Sequence, residues 1–182
     1  MPSAPATAIA GVPMPKSPPS AAIDATFSQH VTTVTQADAA VPLLRVAAVK
    51  APFGPGQAVW WNGLVGATVD SNGRDMAVLP VWDVRSRILA VVEGTNARGM
   101  VAGTGQRQEC RVDYLSRSDE VRVGDRMVTS DPTRTIPNGL LICTVSLVKR
   151  RDDGVYQLIA CDSAIDIGAL TQVLLLVPAS KP

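Results

Sequence analysis

The chain has 182 residues, of which 46% are hydrophobic, and this is enough to bury one compact core or two small ones. Its formal net charge is +1, so the sequence shows no electrostatic footprint for nucleic acid or an anionic membrane, and we expect no nucleic-acid partner. Aromatic residues make up only 4%, so the core must consist mainly of Val, Leu, Ile and Ala, whose β-branched members favour strands.

The sequence shows no recognisable targeting segment. No run reaches the ~18 apolar residues of a membrane-spanning helix. Residues 1–22 lack the basic start and unbroken apolar stretch of a signal peptide, because Lys16 comes late and prolines interrupt throughout. We therefore interpret the beginning of the chain as that of an excised fragment, or as a divergent or misannotated start.

Residues 1–40 are predicted to form a disordered tail rich in Pro, Ala and Ser. Proline fixes its own φ and has no N–H donor, so a regular ladder cannot form where it recurs. A Val-Thr-Thr-Val stretch at residues 31–34 gives a weak signal for an edge strand.

From residue 41 onward, short apolar runs alternate with turn residues, which predicts a shortened first β sub-domain over residues 41–84. Within it, Asn72-Gly73 predicts a type I′ hairpin turn, because both residue types tolerate positive φ. The predicted strands cover residues 43–49, 57–61, 64–69 and 76–81.

The same pattern predicts a second β-barrel sub-domain over residues 85–178, followed by a short tail at residues 179–182. The clearest hairpin is expected to turn at Asp153-Gly154, with Val145, Leu147 and Lys149 on one face of its first strand. The predicted strands cover residues 88–92, 100–102, 109–115, 126–129, 140–150, 154–162 and 171–177, with one helical turn allowed within 163–169.

These short strands at close turn spacing, without a convincing 3.6-residue period, predict an all-β fold. We expect two small barrel-like or sandwich-like sub-domains of short antiparallel strands, with the split near residues 82–90. A single interleaved unit is equally compatible with the sequence.

The three cysteines are Cys110, Cys143 and Cys161, and the only histidine is His30. A zinc site needs several thiolate or imidazole ligands at close spacing, so we expect no metal site, and nothing in the sequence calls for a cofactor. Each cysteine lies in or beside an apolar run, which indicates buried, inert thiols. A nucleophile, or one disulfide plus one free thiol, is the alternative.

No catalytic residue is predicted. The best nucleophile candidates, Ser130 and Cys143, have no histidine nearby, since His30 lies in the tail; an Asp or Lys could substitute as the base, but the residues after Thr129 are more simply read as a loop. Two Gly-rich pieces precede no helix, so neither predicts a phosphate cradle. The acidic residues that could pair fall at turns, where solvated carboxylates are typical: Asp113 with Asp119 and Glu120, and Asp152 with Asp153. A cysteine or carboxylate hydrolase is therefore the less favoured alternative, and it requires Cys143 or an Asp pair to line a pocket with a base.

The tryptophans are the stronger candidates for contacts with a partner. Trp60 and Trp61 are consecutive, so on a strand one of them must face outward, and Trp82 follows nearby. Arg85 and Arg87 flank Ser86 and could steer an acidic partner. The predicted partner-binding set is Trp60, Trp61, Trp82, Arg85 and Arg87. The alternatives are that the fold covers the tryptophans, or that they line a groove for a peptide or sugar.

A series of motifs in fixed order resembles the extracytoplasmic β-domain of the rod shape-determining protein MreC family, from about residue 63 to residue 176. Each piece is short, and their order and spacing together carry the resemblance. The motifs are Asn62-Gly63-Leu64-Val65-Gly66, Asp83-Val84-Arg85-Ser86-Arg87-Ile88, Arg98-Gly99-Met100-Val101-Ala102-Gly103, residues 121–130 (Val-Arg-Val-Gly-Asp-Arg-Met-Val-Thr-Ser), Ile136-Pro137-Asn138-Gly139-Leu140 and the final strand at 169–176.

This resemblance implies a non-enzymatic scaffold of the cell-wall elongation machinery at the periplasmic face of the inner membrane. The partners it implies are the elongation transpeptidase, MreD and the MreB filament, together with self-association and no cofactor. Members of the family carry an N-terminal membrane helix and a coiled coil, and the sequence shows neither. Asp131 and Cys143 stand where the family tends to have glycine.

Overall fold

The computed structural model describes residues 27–37, 43–48, 54–150 and 154–179. In these ranges the fold is all-β, with twelve strands, one 3-10 turn (Ile167–Ala169) and no helix long and apolar enough to cross a membrane. The strands are β1 (Phe27–Ala37), β2 (Leu44–Ala47), β3 (Ala58–Trp60), β4 (Leu64–Ser71), β5 (Asp75–Pro80), β6 (Arg87–Val92), β7 (Arg98–Gly103), β8 (Glu109–Asp113), β9 (Arg126–Thr129), β10 (Leu141–Lys149), β11 (Leu158–Ser163) and β12 (Gln172–Pro178).

The strands form two closed antiparallel barrels of six strands each, which confirms the predicted fold class. The first barrel has the order β1-β12-β3-β4-β5-β2, and the second has the order β10-β11-β8-β7-β6-β9. The second barrel is therefore inserted into the first, between β5 and β12. Closing each sheet leaves it without an unpaired edge strand.

The first barrel begins earlier in the sequence than the expected limit of the tail. Residues 27–37 form β1, which pairs along β12 from Phe27↔Pro178 to Thr33↔Gln172. This ladder can form because no proline lies between Pro19 and Pro42, so β1 keeps its N–H donors. Residues 1–26 and 38–40 of the predicted tail lie outside the described residues.

The closing strand belongs to the first barrel, although the expected boundaries place it with the second. β12 pairs with β1 on one side and with β3 on the other. Residues 172–177 are all buried, which explains their nearly continuous apolar run. A strand pattern identifies β12 as a strand, but it does not specify which distant strands will pair with it.

The hairpin of β10 and β11 departs from the expected alternation. A β-bulge between Val145 and Leu147 adds one residue to β10, so Val145 is buried whereas Leu147 is 40% exposed. β11 begins only at Leu158, and the backbone before it bonds to another segment: Gln157 N–H donates to the Leu115 carbonyl at 3.0 Å. The expected turn at Asp153-Gly154 lies partly outside the described residues.

The connection from β5 to β6 passes through the contact between the barrels. Val81, Trp82 and Asp83 are all buried, and the Trp82 carbonyl accepts a hydrogen bond from the Gly105 N–H at 2.8 Å. A Cβ atom on Gly103 would lie 2.1 Å from the Asp83 carbonyl oxygen, so only glycine fits there without a backbone shift. The buried apolar residues form one connected core through both barrels.

The Asp83 side chain fixes the first turn of this connection. It is only 1% exposed, and its carboxylate accepts bonds from the Arg85 backbone N–H at 2.8 Å and from the Arg85 guanidinium at 2.9 and 3.0 Å. The hydrogen bonds from the Arg85 side chain lower the pKa of Asp83, and they outweigh the opposing effect of burial. The ionised carboxylate therefore holds the turn that delivers the chain to β6.

We predict that Gly103→Ala destabilises the protein by about 3 kcal/mol, because the new methyl group would meet the Asp83 carbonyl and the Trp82 backbone. Urea unfolding followed by tryptophan fluorescence measures the change. Gly54→Ala is the control, since a Cβ there meets nothing within 4 Å, and we expect a change within about 0.5 kcal/mol. Equal midpoints for the two variants would contradict the close approach.

We predict that Asp83→Asn lowers the free energy of unfolding at pH 7 by about 1 to 3 kcal/mol. The lowered pKa means that the folded state favours the ionised carboxylate, so its contribution is present above the unfolded pKa of about 3.9 and is lost as pH falls below it. The difference in the free energy of unfolding between wild type and Asp83→Asn should therefore become smaller below about pH 4.

The matched control is Asp113→Asn. Asp113 also pairs with an arginine two residues away, Arg111, but both side chains are partly exposed, so we expect a change below about 1 kcal/mol. If the free energies of unfolding of wild type and Asp83→Asn differ by the same amount from pH 7 to pH 3, this account of Asp83 is wrong.

Candidate partner-binding surfaces

Trp60 and Trp82 are core residues rather than exposed anchors. Their exposed fractions are 4% and 3%. Trp60 is buried in the first barrel, where its backbone pairs with Leu174 and Leu64, and Trp82 is buried at the contact between the barrels. The groove lined by three tryptophans, which was one of the alternatives, is therefore not formed, because two of the three are buried.

Trp61 is the tryptophan that retains an exposed part. It follows the last residue of β3 and packs against the core while remaining half-buried. Its backbone N–H donates a hydrogen bond to the Gly63 carbonyl at 2.9 Å across a tight turn, in which Asn62 has a φ of 55°.

Arg85 and Arg87 both lie on the surface, but they differ in their partners. Arg85 is held by the buried Asp83, which neutralises its charge locally. The Arg87 Nη1 donates hydrogen bonds to the Val84 and Ser86 carbonyls, both at 2.7 Å. These two bonds position the guanidinium through backbone acceptors rather than through a carboxylate. Of the two, Arg87 is better suited to attract an acidic partner.

Arg87 borders a shallow groove of about 180 Å³, which we call the Leu89 groove. Leu89 is 49% exposed within it. The groove is lined by Arg87, Ile88, Leu89, Thr129, Asp131 and Ile136.

Asp131 fixes the loop that forms one wall of the Leu89 groove. Its carboxylate accepts hydrogen bonds from the N–H groups of Thr133 and Thr135 at 2.9 Å and of Ile136 at 3.0 Å. Burial raises the pKa of Asp131, but a hydrogen bond from the Thr133 hydroxyl at 2.6 Å and these backbone bonds together outweigh it, and the net pKa is lowered. The carboxylate therefore organises this loop.

A second groove, which the sequence analysis did not identify, lies where β8 ends and β11 begins. Tyr114 and Tyr156 form an edge-to-face pair, with ring centroids 5.6 Å apart and an interplanar angle of 88°. They are 58% and 50% exposed, and the neighbouring Leu158 is 46% exposed. This tyrosine groove has a volume of about 310 Å³ and is lined by Arg111, Val112, Asp113, Tyr114, Tyr156, Gln157 and Leu158.

The backbone at Tyr114 is in an unfavourable conformation for an aromatic residue. Its φ is 66°, in the left-handed region that glycine or asparagine adopts at lower cost, and the penalty for other residues is about 1 kcal/mol. The reversal places the next residue, Leu115, in the core at 0% exposure. The turn therefore serves core packing. The large side chain of Tyr114 is exposed and does not contribute to that packing, which favours a role for it at the surface.

The sequence contains a signal for this groove. The chain has only two tyrosines, and both belong to it. Alternation also places Tyr156 on the same face as Leu158. The exposure of Tyr114 goes with its positive φ, which an alternating strand pattern does not predict.

In the part of the chain that the structure describes, the residues of the alternative hydrolase do not come together. Cys143 is fully buried, and His30 lies on β1 in the first barrel, with its Nε2 3.3 Å from the Ser28 Oγ. The acidic candidates are engaged separately: Asp113 with Arg111, Asp119 with the Ser116 N–H, and Glu120 with Arg122, while Asp152 and Asp153 lie outside the described residues. Among the residues that the structure describes, no group of three or more His, Cys, Asp or Glu side chains could hold a metal ion.

Known proteins share both the sequence pattern and the fold. The chain is 37% identical to the cell shape-determining protein MreC of Caulobacter vibrioides over 79 residues, which are 43% of this chain and 22% of that protein. It is 28% identical to the Escherichia coli MreC over 114 residues, or 57% of this chain and 31% of that protein. The chain therefore spans less than a third of the length of either relative.

Three solved structures show the same fold. The Pseudomonas aeruginosa MreC structure superimposes with a TM-score of 0.75 at 20% identity, over 81% of this chain and 98% of that one. MreC from a Helicobacter pylori complex with the penicillin-binding protein PBP2 gives 0.66 at 20% identity, over 83% and 98%. The periplasmic domain of the "cell shape-determining filament MreC" gives 0.69 at 11% identity, over 85% and 98%.

The family model described as rod shape-determining protein MreC, barrel core, matches residues 52–177, which include β3 to β11 and nearly all of β12. This match covers more than half of the chain and includes the whole second barrel, with both grooves. The chain belongs to the MreC family.

Proposed function

We propose that this chain is a non-enzymatic scaffold that helps to maintain cell shape by binding a peptidoglycan-synthesising transpeptidase on the outer side of the inner membrane. Membership of the family supports the role in cell shape. A family member that forms a complex with PBP2 supports a transpeptidase as the partner. The observation that carries the proposal is the tyrosine groove, an exposed aromatic pair on a closed barrel.

The tyrosine groove has the composition of a protein-binding surface. Tyr114 and Tyr156 supply large, rigid and amphipathic contact area, and tyrosine is enriched among residues that dominate binding energy. Leu158 continues the apolar centre, and the Arg111–Asp113 ion pair lies at its rim. An apolar centre with a charged rim is typical of protein interfaces. We therefore assign the transpeptidase to this groove.

The Leu89 groove supplies a second contact in this proposal. Arg87 would attract acidic groups of the partner while Leu89 supplies apolar area. Trp61 and Arg85, the other surface residues predicted from the sequence, extend the same role to the first barrel and to the connection between the barrels. Association with MreD and MreB, and self-association, are further parts of the proposal that rest on the resemblance.

We predict that Tyr114→Asn and Tyr156→Ser each weaken binding to the purified transpeptidase ectodomain by about tenfold or more, because each removes a buried aromatic contact of the complex. Biolayer interferometry measures the dissociation constant. Asparagine suits the positive φ at residue 114, so Tyr114→Asn should fold at least as stably as wild type.

The control for the tyrosine variants is Val123→Ser, which removes another exposed apolar side chain (64% exposed) away from both grooves. It should bind like wild type. If both tyrosine variants also bind like wild type, the tyrosine groove is not the transpeptidase site.

For the Leu89 groove, we predict that Arg87→Glu lowers the association rate constant several-fold at low salt, and that the difference fades at high salt, because steering by exposed charges is screened. Stopped-flow mixing at two ionic strengths measures this. Arg122→Glu is the control, since Arg122 is also exposed but borders neither groove. An Arg87→Glu effect no larger than that of Arg122→Glu would remove Arg87 from the interface.

A further inference from the structure

Three thiols converge inside the second barrel. Cys110 on β8 lies directly opposite Cys161 on β11, and Cys143 on β10 lies two residues from Val145, which is opposite Cys161. All three cysteines are fully buried. Of the three thiols, that of Cys110 donates a hydrogen bond to the Val81 carbonyl at 3.6 Å. The proposed role of the chain uses none of them.

The register favours one of the three pairs. Residues directly opposite on antiparallel strands have Cα atoms about 4.5 to 5.5 Å apart, which lies within the range of about 4.4 to 6.8 Å that a disulfide spans. Cys110 and Cys161 meet this condition. Cys143 is diagonal to Cys161, and diagonal neighbours are about 7 to 8 Å apart. The bulge in β10 after Val145 also makes that side of the ladder irregular.

We propose that Cys110 and Cys161 form a disulfide in the mature protein and that Cys143 remains a thiol. This rests on the proposed location outside the inner membrane, where the environment is oxidising and adjacent thiols are readily joined. The bond would link β8 to β11, the two strands that supply walls of the tyrosine groove. It would thereby fix the spacing of those walls.

The bond must form before the barrel closes. Hydrogen bonding to Cys161 and then burial raise the pKa of Cys110. For Cys161, the hydrogen bond to Cys110 acts in the opposite direction, but contact with Cys143 and burial outweigh it and the net pKa is raised. Only the thiolate is reactive in exchange, so the folded thiols are inert and oxidation belongs to the folding phase.

The oxidant is a disulfide, either glutathione disulfide in vitro or the disulfide of a thiol–disulfide oxidoreductase in the compartment. One cysteine thiolate attacks it, forms a mixed disulfide and releases one oxidant thiol. The second cysteine thiolate attacks the protein sulfur of that mixed disulfide and expels the other oxidant thiol. Two electrons pass from the cysteines to the oxidant, and the two cysteine protons end on its two released thiols.

The test refolds the full chain from the reduced, denatured state in a glutathione redox buffer. Thiols are then counted under denaturing conditions, and the intact mass and linked peptides are determined. We expect one free thiol, a mass about 2 Da lower than that of the reduced chain because two hydrogens are lost, and a peptide joining Cys110 to Cys161. Three remaining thiols, a stable glutathione adduct or a bridge that includes Cys143 would overturn the proposal.

Variants confirm which cysteines are joined. Cys143→Ala should refold with no free thiol, and Cys110→Ala should refold with two, since its remaining pair is diagonal. Two free thiols in Cys143→Ala would mean that Cys143 takes part in the bond, contrary to the proposal. Circular dichroism checks that each variant folds, and the wild-type thiol count decides the outcome even where a variant fails to fold.

The same samples separate this proposal from the proposed function. If wild type refolds with three thiols and still binds the transpeptidase ectodomain, the disulfide is wrong and the scaffold stands. If the bond forms but no binding occurs, the scaffold fails and the disulfide stands. Full chain exported to a bacterial periplasm should carry one free thiol, and chain retained in the cytoplasm should carry three. Three thiols after export would overturn the bond in the mature protein.

Discussion

The close approach of the Trp82 and Asp83 backbone to Gly103 is the contact on which the arrangement of both barrels depends. The chain leaves the first barrel after β5, and at this point its backbone lies so near β7 that no side chain fits between them. The buried Asp83 then bonds to Arg85 and turns the chain into β6. The chain returns to the first barrel in β12, so the inserted second barrel is connected to the first barrel at both its beginning and its end.

This arrangement explains how a protein with few aromatic residues can present a defined surface. Val, Leu, Ile and Ala supply most of the interior, and both tyrosines lie on the outside of the second barrel. Closed ladders hold β8 and β11 in fixed register, and the reversal at Tyr114 presents its ring toward Tyr156. A surface built in this way loses little conformational entropy on binding, which favours a scaffold role.

The local strand pattern could be predicted from the sequence, whereas long-range pairing could not. β9 was predicted at residues 126–129 and occupies Arg126–Thr129, because its apolar run and flanking turns are local signals. The partners of β12 depend on strands more than a hundred residues away, so no local pattern reports them. The same limit applies to the candidate site: Trp82 is buried by the contact between barrels, and Tyr114 is exposed by a positive φ.

Hydrogen exchange of the chain with and without the transpeptidase ectodomain tests the central claim most directly, because it maps protection over the whole surface without any substitution. The account predicts slower exchange in the segments around Tyr114 and around residues 154–158, with smaller protection near Leu89. Protection confined to the first barrel, or no change at saturating transpeptidase, would contradict it.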